Sequence, residues 1–246
     1  MKRFKRLPLL KNAAGYLGKR QKDANTKHQQ QKLNHDNHWS SSRSTKSMAP
    51  VLETLKKMTG AAQRCMYCLD SLGSDVEHFW PKSHYPDRMY QWDNLLLCCT
   101  PCGRIKGIQF PLSNANPLLL NPTTDKPWES LDFDPDTGLI CARFDAQLNA
   151  YCPRGEATVE VLQLDRREAL SVRYLKTLKR ISKVVEAALA NNAIQTDKLM
   201  EELEEADDHG LLGWCFGDRV GRLQPFYALR QKHPAIWKEC ARVLKA

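Results

Sequence analysis

The sequence predicts an α+β protein: a zinc-stapled strand–loop–strand–helix unit, then a small β-extension and an α-helical C-terminal region. Three observations lead there. Two Cys-x-x-Cys pairs, Cys65/Cys68 and Cys99/Cys102, stand 30 residues apart, and four thiolates on two knuckles satisfy a tetrahedral structural zinc site. Between the pairs lie two short apolar runs, with a helix start at the second knuckle. Beyond residue 165, apolar residues recur every three or four positions, which is helical spacing.

Within the staple, residues 74–80 are apolar-rich and stop at Pro81, which cannot continue a central strand. Residues 95–98 read L-L-L-C, and residues 102–110 open a helix that Pro111 ends. Cys98 directly precedes Cys99, so the second knuckle has two registers. Cys99 repeats the two-residue gap of the first pair, whereas Cys98 would make it three; the matching gap favours Cys99. Upstream, Val51, Leu52, Leu55 and Met58 mark a scaffold helix that Gly60 stops and that delivers the first knuckle. Downstream, the D-P-D-T-G turn at 134–138 leads into an extended run at 139–144. Residues 157–164, with Val159 and Val161 alternating, read as another strand of the β-extension.

In the C-terminal region, Leu175, Leu178, Ile181, Val185 and Leu189 form one helical stripe, with Arg173, Lys176, Lys179, Arg180 and Lys183 outside it. Residues 196–208 reverse the sign, with Leu199 and Leu203 beneath four glutamates, which fits an antiparallel partner helix. Ile236, Trp237, Cys240, Val243 and Leu244 stripe a last helix. The aromatic residues Trp214, Phe216, Phe226, Tyr227 and Trp237 suit either a docking surface or a self-contained helical subdomain.

The net charge of +9 is concentrated at one end. Residues 1–48 carry +10, and the other 198 residues sum to −1. With few apolar residues, segment 1–48 reads as a flexible or partner-ordered basic arm that attracts phosphate, helped by His28, His35 and His38, or else as a solvated tail. The organisation expected is therefore an arm at 1–48, a zinc-stapled domain at 49–164 and a helical region at 165–246. No run has the length of a membrane span, and M-K-R-F-K-R lacks the apolar stretch of a secretory signal, so a soluble, membrane-free bacterial cytoplasmic protein is expected. Nine cysteines, four of them at metal spacing, suit a reducing compartment; Cys98, Cys141, Cys152, Cys215 and Cys240 read as ordinary buried thiols. G-Y-L-G-K-R at 15–20 has the wrong spacing for a phosphate-binding loop.

The chemistry-bearing pair inside the staple is Glu77-His78. An imidazole titrating near neutrality suits general-base work on a water, and a carboxylate is the hard oxygen ligand that Mg²⁺ or Mn²⁺ prefers. Metal-assisted phosphodiester hydrolysis needs both functions. Alone, such a pair is as readily a surface ion pair or a satisfied buried histidine. Adjacent residues on a strand point to opposite faces, so the two share a site only at a strand end or distortion.

The ordered motifs E-H-F-W-P-K, W-D-N-L and C-T-P-C-G-R-I-K-G, with F-P-L at 110–112 and N-P-L-L-L-N-P at 116–122, resemble the HNH nucleases with a ββα-metal fold. Within them they look like the PtuB-like nuclease subunits of Septu-type anti-phage systems, some of which accompany retrons. The resemblance covers roughly residues 50–175. It implies His78 as general base, Glu77 as ligand of a catalytic Mg²⁺ or Mn²⁺, and Asn94 as the middle residue of the family triad, supporting the site by tying the loop across the hairpin. Trp92 is core.

This sequence departs from the family pattern at Gly103, where an Asn after the last cysteine helps hold the catalytic metal. Asp70, Asp75, Asp93 or Gln109, or else water and substrate phosphate, are candidates to complete the shell. Arg104 and Lys106, near the positive end of the predicted helix, stand equally as phosphate-binding groups or as a solvated face.

The resemblance further implies an ABC/SMC-like ATPase partner, in some systems a retron reverse transcriptase and its multicopy single-stranded DNA, and a nucleic-acid substrate. DNA is the family default and a structured RNA such as tRNA the alternative. Three functions follow: an effector nuclease of a defence complex, a non-catalytic zinc nucleic-acid-binding or adaptor protein, and a stand-alone HNH DNA-processing enzyme.

Overall fold

β1 (Asp75–His78) and β2 (Leu95–Cys98) pair antiparallel, with Asp75 opposite Cys98 and His78 opposite Leu95. Every residue of β2 is buried, as its unbroken apolar run requires. Gly73 leads into β1 at a place where only hydrogen fits: a Cβ there would lie 2.3 Å from Leu97 Cγ. After β2 the chain turns at Cys99 into α4 (Thr100–Lys106), with a proline in its first turn and Gly107 at φ 50° ending it. This is the strand–loop–strand–helix order expected. The computed structural model describes residues 1–191 and 193–244.

By its contacts the chain divides into two units. One comprises Phe4–Tyr67 and Ser71–Pro117; the other comprises Met1–Arg3, Cys68–Asp70 and Leu118–Ala246. The division thus falls at Leu118 rather than near residue 165, and the β-extension joins the C-terminal unit.

The hairpin unit also holds α1 (Lys11–Gln29), α2 (His35–Arg43) and α3 (Ala49–Met58). α3 buries Val51 and Leu55 and packs on β2. Residues 1–48, expected as a flexible arm, are largely helical. Ala13, Leu17, Ala24, His38, Trp39 and Ser42 are buried, so the few apolar residues fall on inward faces. Polar side chains supply the remaining contacts: Arg20 donates to His38 O, and Arg6 spans the carbonyls of Trp92, Asp93 and Leu95. Average composition hides such a stripe.

The hairpin unit ends with the paired two-residue strands β3 (Leu112–Ser113) and β4 (Asn116–Pro117); in the C-terminal unit β5 (Leu131–Phe133) pairs with β6 (Ile140–Ala142), and β7 (Phe144–Asp145) with β8 (Ala150–Tyr151). The segment 157–164, expected as a strand, lies in α5 (Pro153–Leu162) up to Leu162. Gly155, Thr158, Val159 and Leu162 are buried at helical spacing, and this outweighs the two-valine alternation. α6 (Glu168–Ala190) buries Leu170, Tyr174, Leu178, Ile181 and Val185, and packs with α7 (Thr196–Ala206) through Leu199 and Leu203. Arg180 pairs with Asp208 just beyond α7. α8 (Leu212–Cys215), α9 (Phe226–Lys232) and α10 (Pro234–Leu244) close around Phe216, whose ring is 5.0 Å from Trp237 and 6.0 Å from Phe226. Among the described residues, no helix is long and apolar enough to cross a membrane.

Candidate metal centre and active site

The two knuckles converge. Sγ of Cys65, Cys68, Cys99 and Cys102 all lie within 4.8 Å of one another, and all four residues are buried. Backbone bonds hold the first knuckle: Cys65 N donates to Ser71 O (2.9 Å) and Met66 N to Leu97 O (2.9 Å), so the turn is laced to β2. Four buried sulfurs in one cluster fit a tetrahedral Zn²⁺. Cys99 belongs to this cluster and Cys98 does not; the Cys98 thiol donates to Cys99 O at 3.3 Å and lies 3.9 Å from Cys65 Sγ.

Ladder pairing is regular to His78, the last residue of β1, so the strand sends the Glu77 and His78 side chains to opposite faces and only the strand end at His78 leaves room for a shared site. Glu77 turns toward α4. Its Oε1 accepts from Lys106 Nζ at 2.9 Å, and the same ammonium donates to His78 O at 2.9 Å. Lys106 is wholly buried, so it is neither a solvated cation nor open to phosphate. Burial raises the Glu77 carboxyl, opposed by Lys106. Arg104 is exposed on the same helix.

His78 is 6% exposed. Its ring lies edge-on to Trp39 at 4.3 Å, and Nε2 donates to Met89 O at 3.0 Å. That bond assigns the Nε2–H tautomer and leaves the Nδ1 lone pair as acceptor. Burial, with Lys82 adding, pulls the imidazole down to about 3, so it is neutral at physiological pH and does not titrate near neutrality as its residue type led one to expect. Among the described residues no hydrogen bond joins the side chains of Glu77 and His78.

Asn94 is 2% exposed and ties the intervening loop. Oδ1 accepts from Trp80 N (2.7 Å), while Nδ2 donates to Trp80 O (3.1 Å) and Arg88 O (2.9 Å). Of the candidates for a further metal ligand, Asp75 and Asp70 have their carboxylates in ion pairs, while the contacts of Gln109 and Asp93 use an amide nitrogen and a backbone carbonyl. Asp75 holds Arg43; Asp70 holds Arg173 and His209; Gln109 donates to Ile105 O; Asp93 precedes β2 with its carbonyl on Arg6.

The chain is similar to the Septu protein PtuB. It is 32% identical over 134 residues to that of Bacillus thuringiensis, covering 51% of this chain and 47% of the relative. It is also 32% identical over 149 residues to that of Bacillus mycoides strain KBAB4, covering 48% of each. The chain therefore spans about half the length of the PtuB relatives it matches. No family model and no solved structure matches it.

On α4, Gly103 lies beside Glu77. A Cβ there would lie 3.4 Å from Glu77 Oε2 and 3.9 Å from Cys98 Sγ. These are ordinary contact distances, so a methyl group would just fit between the helix and Glu77.

Sequence reasoning missed Lys82, Trp39 and the Met89 carbonyl around His78. Lys82 pairs with Asp36 of α2 at 2.9 Å. Only the P-K of the motif signalled Lys82; nothing local signalled the other two.

Proposed function

We propose that this chain is a metal-dependent HNH-type endonuclease that hydrolyses phosphodiester bonds of nucleic acid, the effector of a Septu-type anti-phage complex governed by an ATPase partner. The observation that carries this reading is the His78 ring, fixed through Nε2 by Met89 O with the Nδ1 lone pair left as acceptor. The similarity to PtuB and the four-cysteine cluster beside the hairpin support it.

In this reading, His78 Nδ1 takes the proton of the attacking water. Asn94 keeps the loop that carries Met89 closed on the hairpin, and exposed Arg104 meets a flanking phosphate. Glu77 Oε2 would hold the divalent cation, which when bound supplies positive charge to the phosphate oxygens. Water attack does not require a 2′-hydroxyl, so DNA and structured RNA such as tRNA are both chemically admissible; DNA is proposed first. A retron reverse transcriptase with its single-stranded DNA is a further proposed partner.

A second reading has its own observation. The Glu77–Lys106 pair is closed, and Gly103 offers no side-chain donor, which suits a zinc-stapled nucleic-acid-binding adaptor. One experiment separates the two: cleavage of labelled DNA and RNA by the chain purified with its partner, with and without Mg²⁺ or Mn²⁺, beside His78→Ala. The nuclease reading expects metal-dependent cutting that falls about 10²–10⁴-fold in His78→Ala with zinc content unchanged. Cutting by neither form moves the adaptor ahead.

A further inference from the structure

The Met89 carbonyl that accepts the hydrogen bond of His78 Nε2–H lies in a segment with little regular structure; Pro86–Arg88 is a single 3-10 turn. What steadies that carbonyl comes from α1. Gln21 Nε2 donates to Pro86 O at 2.8 Å, and Gln21 Oε1 accepts from Tyr90 N at 2.7 Å. A single amide thus grips the chain on both sides of Met89.

Tyr90 is anchored in turn by α2. Its hydroxyl lies 2.8 Å from His38 Nδ1, 2.9 Å from His38 O and 2.9 Å from Ser42 Oγ. Asp23 Oδ2 of α1 lies 2.9 Å from His38 Nε2. Trp39 fills the space between, 5.4 Å from the Tyr90 ring and 4.3 Å from that of His78. Only a side chain that donates at one end and accepts at the other reproduces the Gln21 grip; hydrocarbon of the same length does neither.

We propose that Gln21 is a positioning residue for His78: by clamping the Met89 carbonyl it holds the imidazole in its Nε2–H tautomer and keeps Nδ1 as the basic nitrogen. This rests on the reading of His78 as the general base. If the clamp is lost, Met89 O drifts, and the imidazole populates the Nδ1–H tautomer, which cannot accept the proton of water. The N-terminal helices are then part of the reaction's machinery and not an appendage that only attracts phosphate.

The test uses the full zinc-loaded chain, with its partner for kinetics and alone for ¹⁵N NMR of the His78 ring. Gln21→Met removes both bonds at similar length, Gln21→Glu keeps the acceptor for Tyr90 N and loses the donor, and Gln29→Met, exposed near the end of the same helix, is the control. Gln21→Met is expected to lower kcat about 10²-fold, as small misplacements of catalytic groups do, with KM for nucleic acid within about twofold. Its ¹⁵N shifts are expected to move from the Nε2–H pattern to a tautomer mixture, while Gln29→Met matches the wild type.

Retention of the wild-type tautomer in both Gln21 variants, or a loss of kcat without a tautomer change, overturns the proposal. The NMR arm needs no turnover. A mixed tautomer in Gln21→Met, in a protein whose wild type cuts nothing, would keep the clamp and remove the nuclease reading. Should the methionine variant fail to accumulate folded, Gln21→Glu carries both readouts.

Discussion

Removing the ammonium of Lys106 leaves the Glu77 carboxylate in a largely buried place with no counter-charge, and His78 O without its donor. Breaking a buried pair from one side costs about 3–5 kcal/mol. Lys106→Met is therefore expected to lower unfolding stability by roughly that amount, and adding Glu77→Gln to recover much of it. Urea unfolding of the zinc-loaded proteins measures both; an unchanged midpoint in Lys106→Met would show that the pair does not form. The motif identified Glu77, His78, Asn94 and Lys106 as the residues to watch. It could not say that Lys106 turns inward, because one helical position decides whether a side chain faces strand or solvent, and that follows from how α4 lies on β1. Arg104, two residues earlier on the same helix, is exposed.

The element next in scale is the four-cysteine cluster of the two knuckles flanking the β1–β2 hairpin. With Cys99 in the cluster and Cys98 on β2, Cys99→Ser is expected to lose zinc and Cys98→Ser to keep one zinc per chain, by metal analysis. The opposite ranking would put Cys98 in the shell. Chelation should also abolish amide protection at β1 and β2, since structural zinc binding is worth about 10–16 kcal/mol in small fingers and is folding free energy there. These elements were legible because the signals that make them are local: a continuous apolar run, a proline stop, a two-residue cysteine gap. α5 was not legible, because Val159 and Val161 satisfy a strand alternation as well as a helical face. The choice was made by burial, with Gly155 letting the helix approach so closely that a Cβ there would lie 2.1 Å from Ser130 O.

Across the whole molecule, charge and acid stability follow from the N-terminal helices. Desolvation lowers His38, although its bond to Asp23 opposes this, and Arg20 and Lys27 add to the lowering. The folded protein thus holds His38 neutral where the unfolded chain would protonate it. The associated stability is present above the unfolded value near 6.5 and is lost as pH falls below it. Desolvation lowers His35 of the same helix with the same sign. Urea unfolding at pH 7.5 and 5.5 should show lower stability at the acid value, and His38→Gln should narrow the difference; equal stability at both values would contradict a neutral buried His38. The amino-acid sequence by itself determined the strand–strand–helix order between the two cysteine knuckles, the Glu77-His78 pair and the concentration of positive charge before residue 49. Only the tertiary structure decided that this basic segment folds into helices around the His78 loop, that Lys106 is internal, and that the unit boundary falls at Leu118. The reason is range. Knuckles, strands and stops arise between residues a few positions apart, whereas Gln21 meets Tyr90 across 69 positions and Trp39 meets His78 through rings that no local pattern relates.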